Sequence, residues 1–101
     1  MEKQETTVTD VLFRLDTDGE CLAVFPYEVS HNGNMMCYAH FGQHSEMAPS
    51  YLRKLKKPSQ KQVEELRGEL TVIGYTIREI YRINGRRYTA AVAERRQQRN
   101  K

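Results

Sequence analysis

Residues 76–92 run TIREIYRINGRRYTAAV, and the architecture of the whole chain turns on them. Apolar and polar side chains alternate over 76–83 and again over 86–92, with Asn84-Gly85 between them. Asn-Gly between two alternating runs is a strong hairpin signal, because both central residues of the tight turn need positive φ. A two-residue loop pairs Ile83 with Arg86, Tyr81 with Tyr88, Glu79 with Ala90 and Ile77 with Val92. The tyrosines then lie on the core side. The opposite face carries Arg82 beside Arg87, and Arg78 beside Ala91.

Upstream of this hairpin, Ser59-Gln60-Lys61-Gln62 fits a capping box, the serine hydroxyl and the glutamine each satisfying one free N–H at a helix start. Val63, Leu66, Leu70 and Ile73 follow at helical spacing as a single apolar stripe. Gly74 is the expected left-handed terminator, with Tyr75 packing back on Leu70.

Further upstream, residues 8–15 and 20–27 alternate around Asp16-Thr17-Asp18-Gly19, read as a four-residue turn. That register sets Leu15 against Glu20, Phe13 against Leu22 and Val11 against Val24. Pro26 cannot donate to a ladder, so the strand is expected to end there or to lie at an edge. Residues 30–34 form a polar loop. Residues 35–41 form a third strand, with Met35, Cys37, Ala39 and Phe41 on one side and Met36, Tyr38 and His40 on the other. Residues 42–50 read as a connector, and 51–57 as extended chain or one helical turn before Pro58. The sum is an α+β fold of order β-β-β-α-β-β, an antiparallel sheet with one covering helix, over residues 1–93. Residues 94–101 read as a basic flexible tail, either a frayed helical extension or disordered. The uncovered sheet face is expected to be solvated or a contact surface.

A chain of 101 residues supports one small core and no second domain. No apolar run approaches the roughly 20 residues of a spanning helix, and residues 1–10 carry no basic-then-apolar leader. Cys21 and Cys37 are therefore expected as free thiols in the cytoplasm. The net charge of +3 conceals a gradient: residues 1–52 hold two cations and eight anions, while 53–101 hold fourteen cations and five anions. The halves thus carry −6 and +9. Such asymmetry steers an acidic partner to one end, or draws two copies of the chain together.

Three sites follow from these patterns. The first is the basic face: Arg78, Arg82, Arg86 and Arg87 on the hairpin, then Arg95, Arg96, Arg99 and Lys101. The planar guanidinium fork suits bidentate phosphate contact, so an acidic macromolecule, nucleic acid or protein, is the expected partner. The second is Cys37, His40 and His44, residue types that ligate zinc, or that act as thiolate and base with Glu28 or Glu46 orienting a ring. Cys-x2-His-x3-His supplies only three ligands, and on a strand Cys37 and His40 face opposite ways, so no metal or cofactor is expected. The third is an open sheet edge, which would template a homodimer. The expectation is a binding module and not an enzyme.

Phe25-Pro26, Cys37-Tyr38-Ala39-His40, Gly42-Gln43-His44, Glu69-Leu70 and Ile73-Gly74-Tyr75 together resemble the pattern of a family of small bacterial proteins also found in mobile elements and phages. The likeness spans residues 11–83. No activity is attached to that family, so the resemblance implies membership without any catalytic or binding residue. It marks Cys37, His40, Gly42, Gln43 and His44 as the densest part of the shared pattern, and residues 86–101 as additions.

Overall fold

The computed structural model describes residues 8–39 and 43–99 of the chain. It is an α+β fold: a mixed five-stranded sheet of order β4-β3-β2-β1-β5 with three helices. The order of elements is β1 (Val8–Leu15), β2 (Cys21–Val29), β3 (Met35–Ala39), β4 (Gln43–Met47), α1 (Pro49–Leu52), α2 (Gln60–Ile73), β5 (Thr76–Glu79) and α3 (Gly85–Arg99).

The β1–β2 hairpin closes more tightly than the sequence suggested. The Asp16 N–H donates to the Glu20 carbonyl at 2.7 Å and Gly19 N–H to the Asp16 carbonyl at 3.0 Å, leaving a three-residue loop with Gly19 at φ 89°. This is the three-residue hairpin in which glycine takes the left-handed position. The register is therefore Leu15↔Cys21, Phe13↔Ala23 and Leu12↔Val24, one residue from the expected pairing. A slip of one transfers a strand's side chains to the other face. Cys21, Ala23 and Phe25 accordingly join Val11 and Phe13 on one side, and Leu22 and Val24 join Leu12 on the other.

The turn between β2 and β3 repeats the device. The Ser30 N–H donates to the Asn34 carbonyl at 2.9 Å, Gly33 N–H to Ser30 at 3.0 Å, and Gly33 has φ 82°. Pro26 neither ends β2 nor lies at an edge. The strand is central and runs on to Val29, and Pro26 falls where the β2–β3 register shifts between Phe25 and Val29, a gap in the ladder that needs no N–H. β3 has its two faces as expected, Met35 and Cys37 opposite Tyr38. The connector expected at 42–50 contains β4 and the start of α1, which runs on to Leu52. Of the third strand's expected residues, His40 and Phe41 lie outside the described residues.

Helix α2 is built as its sequence requires. Ser59 accepts the Gln62 N–H at 3.2 Å while the Gln62 side chain accepts the Ser59 N–H at 3.0 Å. Val63, Leu66 and Leu70 are buried on Val11, Phe13, Phe25 and Tyr38. Ile73 is not part of this stripe, being 49% exposed at the helix end. Gly74, at φ 124°, donates to the Thr71 carbonyl, and Tyr75 donates to Leu70 at 3.0 Å, closing a Schellman cap.

The segment 76–92 is not a hairpin. β5 is four residues long and parallel to β1, with Val8↔Thr76 and Val11↔Glu79. The chain then leaves the sheet. Ile80 and Ile83 turn onto the face of Leu12, Leu22 and Val24, and Asn84 caps α3, its Oδ1 accepting the N–H groups of Arg86 at 3.0 Å and Arg87 at 3.2 Å. Gly85 is not among the positive-φ glycines, so no tight turn forms there. Two local rules competed at Asn84, because asparagine is as good an N-cap as a turn residue. The downstream sequence decides between them: Ala90, Ala91, Ala93, Glu94, Arg95 and Arg96 are strong helix formers and poor strand formers. Of the two forms expected for the tail, residues 94–99 take the helical one, continuing α3 to Arg99; Lys101 lies outside the described residues.

The second sheet face is consequently covered. Leu12, Leu22, Val24, Met35, Cys37 and Met47 pack under Leu52 of α1, with Leu55, Ile80, Ile83 and Tyr88 at the margin. Burial on both faces explains why β2 reads as a near-continuous apolar run instead of an alternation.

Candidate functional site

The expected basic face divides into separate groups, beginning with Asp10. Its side chain is 2% exposed, and it stands directly across from Arg78 in the β1–β5 register. Arg78 Nε donates to Oδ1 at 2.7 Å, and Arg87 Nη1 donates to Oδ2 at 2.8 Å. The Arg78 hydrogen bond, opposed by burial and aided by Arg87, holds the Asp10 carboxyl below its ordinary pKa of 3.8. The Arg87 guanidinium also lies 4.1 Å from the centroid of the Tyr27 ring, whose hydroxyl accepts the Asn84 N–H at 2.8 Å. Arg78 and Arg87 therefore clamp the start of α3 to β1, β2 and β5. Contrary to expectation, neither is a free member of a binding face.

Arg95 and Arg96 are adjacent in sequence and line different hollows. Arg95 lines one of about 440 Å³, together with Glu28, Glu46 and Glu94. Three carboxylates there oppose an anionic ligand, and burial raises the Glu28 pKa. Arg96 lines a separate hollow with Asn32, Gly33 and Tyr88, where the Tyr88 hydroxyl donates to the Gly33 carbonyl and seats α3 on the β2–β3 turn. Arg86 is exposed on the first turn of α3, and Arg99 is on its last.

Arg82 joins a group that the sequence reading did not assemble. It lines a hollow of about 250 Å³ with Arg14 of β1 and Arg53, the residue closing α1. Leu12, Leu52, Leu55 and Ile83 complete the lining, and no carboxylate is among these described residues. Arg14 Nη1 donates to the Phe13 carbonyl at 2.8 Å, and partial burial lowers its pKa, as desolvation does to an under-compensated cation. Lys54 and Lys56, next in sequence after Arg53, line a separate hollow of about 190 Å³ with Asp16, whose Oδ1 accepts the Tyr51 hydroxyl at 3.0 Å. The backbone that holds this edge is fixed, Leu15 N–H donating to the Lys56 carbonyl at 2.7 Å. The signal was present in the run Arg53-Lys54-Leu55-Lys56-Lys57, but nothing local joins it to Arg14 or Arg82.

Of the cysteine–histidine group, the described members Cys37 and His44 lie on opposite faces of the sheet. Cys37 pairs with Ser45 across β3–β4, its Sγ 3.2 Å from Ser45 Oγ, and packs with Leu12 and Met47. His44 pairs with Tyr38, which packs on the opposite sheet face under α2. There its ring meets Tyr38 edge-on at 4.8 Å and Nε2 lies 3.4 Å from the Tyr75 hydroxyl. Tyr38 in turn donates to Glu69 Oε2. Burial raises the Cys37 pKa and takes Cys21 to about 11, the reverse of what a nucleophilic thiol needs. His40 and Gly42 lie outside the described residues, as does the Gln43 side chain. Among the described residues no group of three or more His, Cys, Asp or Glu side chains could hold a metal. Among them, too, no helix is long and apolar enough to cross a membrane.

Comparison with protein-family models, with curated proteins and with solved structures gives no match for this chain.

Proposed function

We propose that the protein is a small non-enzymatic module that binds nucleic acid through the Arg14–Arg53–Arg82 hollow and the adjoining Lys54 and Lys56. One observation carries the reading: three arginines, from β1, the end of α1 and the β5–α3 connection, line one hollow, with no carboxylate among its described lining. Bringing like charges together costs energy unless a counter-charge arrives, and phosphate is the group that a guanidinium fork fits bidentately. Arg86 is exposed on the first turn of α3, four residues after Arg82. This surface replaces the hairpin face suggested by the sequence and retains Arg82 and Arg86 from it.

Binding to a labelled oligonucleotide is expected to weaken steeply with salt, because each phosphate contact releases condensed counterions. Arg53→Glu and Arg82→Glu should each weaken binding and flatten the salt dependence, while Arg96→Glu should have little effect. Binding indifferent to salt and to both substitutions would contradict the reading. If polyglutamate competes as well as the oligonucleotide, the partner is an acidic protein and not nucleic acid.

A further inference from the structure

We infer that the ligand of this surface is single-stranded nucleic acid, with a base stacking on Tyr81; the inference rests on the arginine-hollow reading. Tyr81 is 76% exposed, whereas the isoleucines on either side of the Tyr81-Arg82 pair, Ile80 and Ile83, pack on the second core. The Ile80 N–H also donates to the Val11 carbonyl at 2.8 Å. The backbone carrying Tyr81 is thus held on both sides, and the ring is offered to solvent on an anchored segment with little ordering left to pay for on binding. Arg82, the next residue, lines the hollow. A second tyrosine, Tyr51, 36% exposed, stands two residues before Arg53, with its hydroxyl donating to Asp16 Oδ1 at 3.0 Å.

An anchored aromatic ring beside guanidinium groups is the pairing that single-strand binders use, stacking bases while cations follow the backbone. In a duplex the bases are already stacked and paired, so an exposed ring gains nothing from them. Simple charge attraction explains Arg14, Arg53 and Arg82 without giving Tyr81 any role. A base on Tyr81 accounts for both features at once.

The test is fluorescence anisotropy with one labelled oligonucleotide, presented as a single strand and as its duplex at the same salt. The expected result is tighter binding of the single strand and a loss of about tenfold on it for Tyr81→Ala, about 1.4 kcal/mol. Tyr81→Phe should restore the affinity, and Tyr81→Ala should leave both duplex binding and the salt slope unchanged. Equal affinity for both forms, or an unaltered Tyr81→Ala, would overturn the stacking inference while leaving the charge reading intact. Loss of sensitivity to Arg82→Glu would instead overturn the charge reading itself. Tyr81 is exposed, so these variants do not threaten the fold.

Discussion

Asp10 of β1 is the residue that ties β5 and α3 to the sheet, through Arg78 and Arg87. A buried carboxylate is tolerated only when its charge is answered, and Arg78 and Arg87 answer both oxygens. Their side chains remain 62% and 53% exposed, so removing the carboxylate strands no buried cation. Asp10→Asn is therefore expected to cost about 2 kcal/mol in a urea melt at neutral pH, the range of hydrogen bonds to charged groups. Because its folded pKa is lowered, Asp10 contributes stability above the ordinary value of 3.8, and that contribution is lost as pH falls through the lowered value. The wild-type protein should lose stability on acidification over this window, and Asp10→Asn should show a shallower acid limb. Equal limbs would contradict the clamp. The thiols give a second test at this scale. With Cys21 at about 11, its thiolate fraction at pH 7 is on the order of 10⁻⁴, and alkylation should proceed only on unfolding. Fast alkylation of the folded protein at pH 7 would contradict the burial of both cysteines.

At the scale of the element, the connection between β5 and α3 separates the two readings of Asn84-Gly85. In a tight hairpin turn, Gly85 would need positive φ and alanine there would be strained. In α3, Gly85 stands in the first helical turn with open space around its missing Cβ. Gly85→Ala is thus expected to raise stability by about 0.5–1 kcal/mol, while Asn84→Ala, which removes the cap, should lower it by about 1 kcal/mol. Destabilisation by Gly85→Ala would restore the hairpin. The helix α2 was legible because its capping box, apolar stripe and terminal glycine are all local. The two glycine turns were legible as turns, but loop length was not, and one residue of it exchanged the faces of β2. β4 was hidden because an edge strand buries little, and among its described side chains only Met47 is buried. The parallel pairing of β5 with β1 depends on where α2 returns the chain, for which no residue near Thr76 carries a signal.

Across the whole molecule, the charge gradient of the sequence resolves into a pattern that the gradient alone did not contain. Acidic Glu28, Glu46 and Glu94 share a hollow with Arg95, while Arg14, from the acidic half of the chain, joins Arg53 and Arg82. Folding thus gathers positive charge from positions 14, 53 and 82, far apart in sequence, which is why the basic run at 53–57 was visible and the site was not. The measurement that tests the account most directly is an NMR titration with a short single-stranded oligonucleotide, following the side-chain Nε–H signals of the arginines. Arg14, Arg53 and Arg82 are expected to shift together and saturably, with Arg78 and Arg87 unmoved on Asp10. Shifts confined to Arg95, Arg96 and Arg99 along α3, with the three hollow arginines silent, would contradict it.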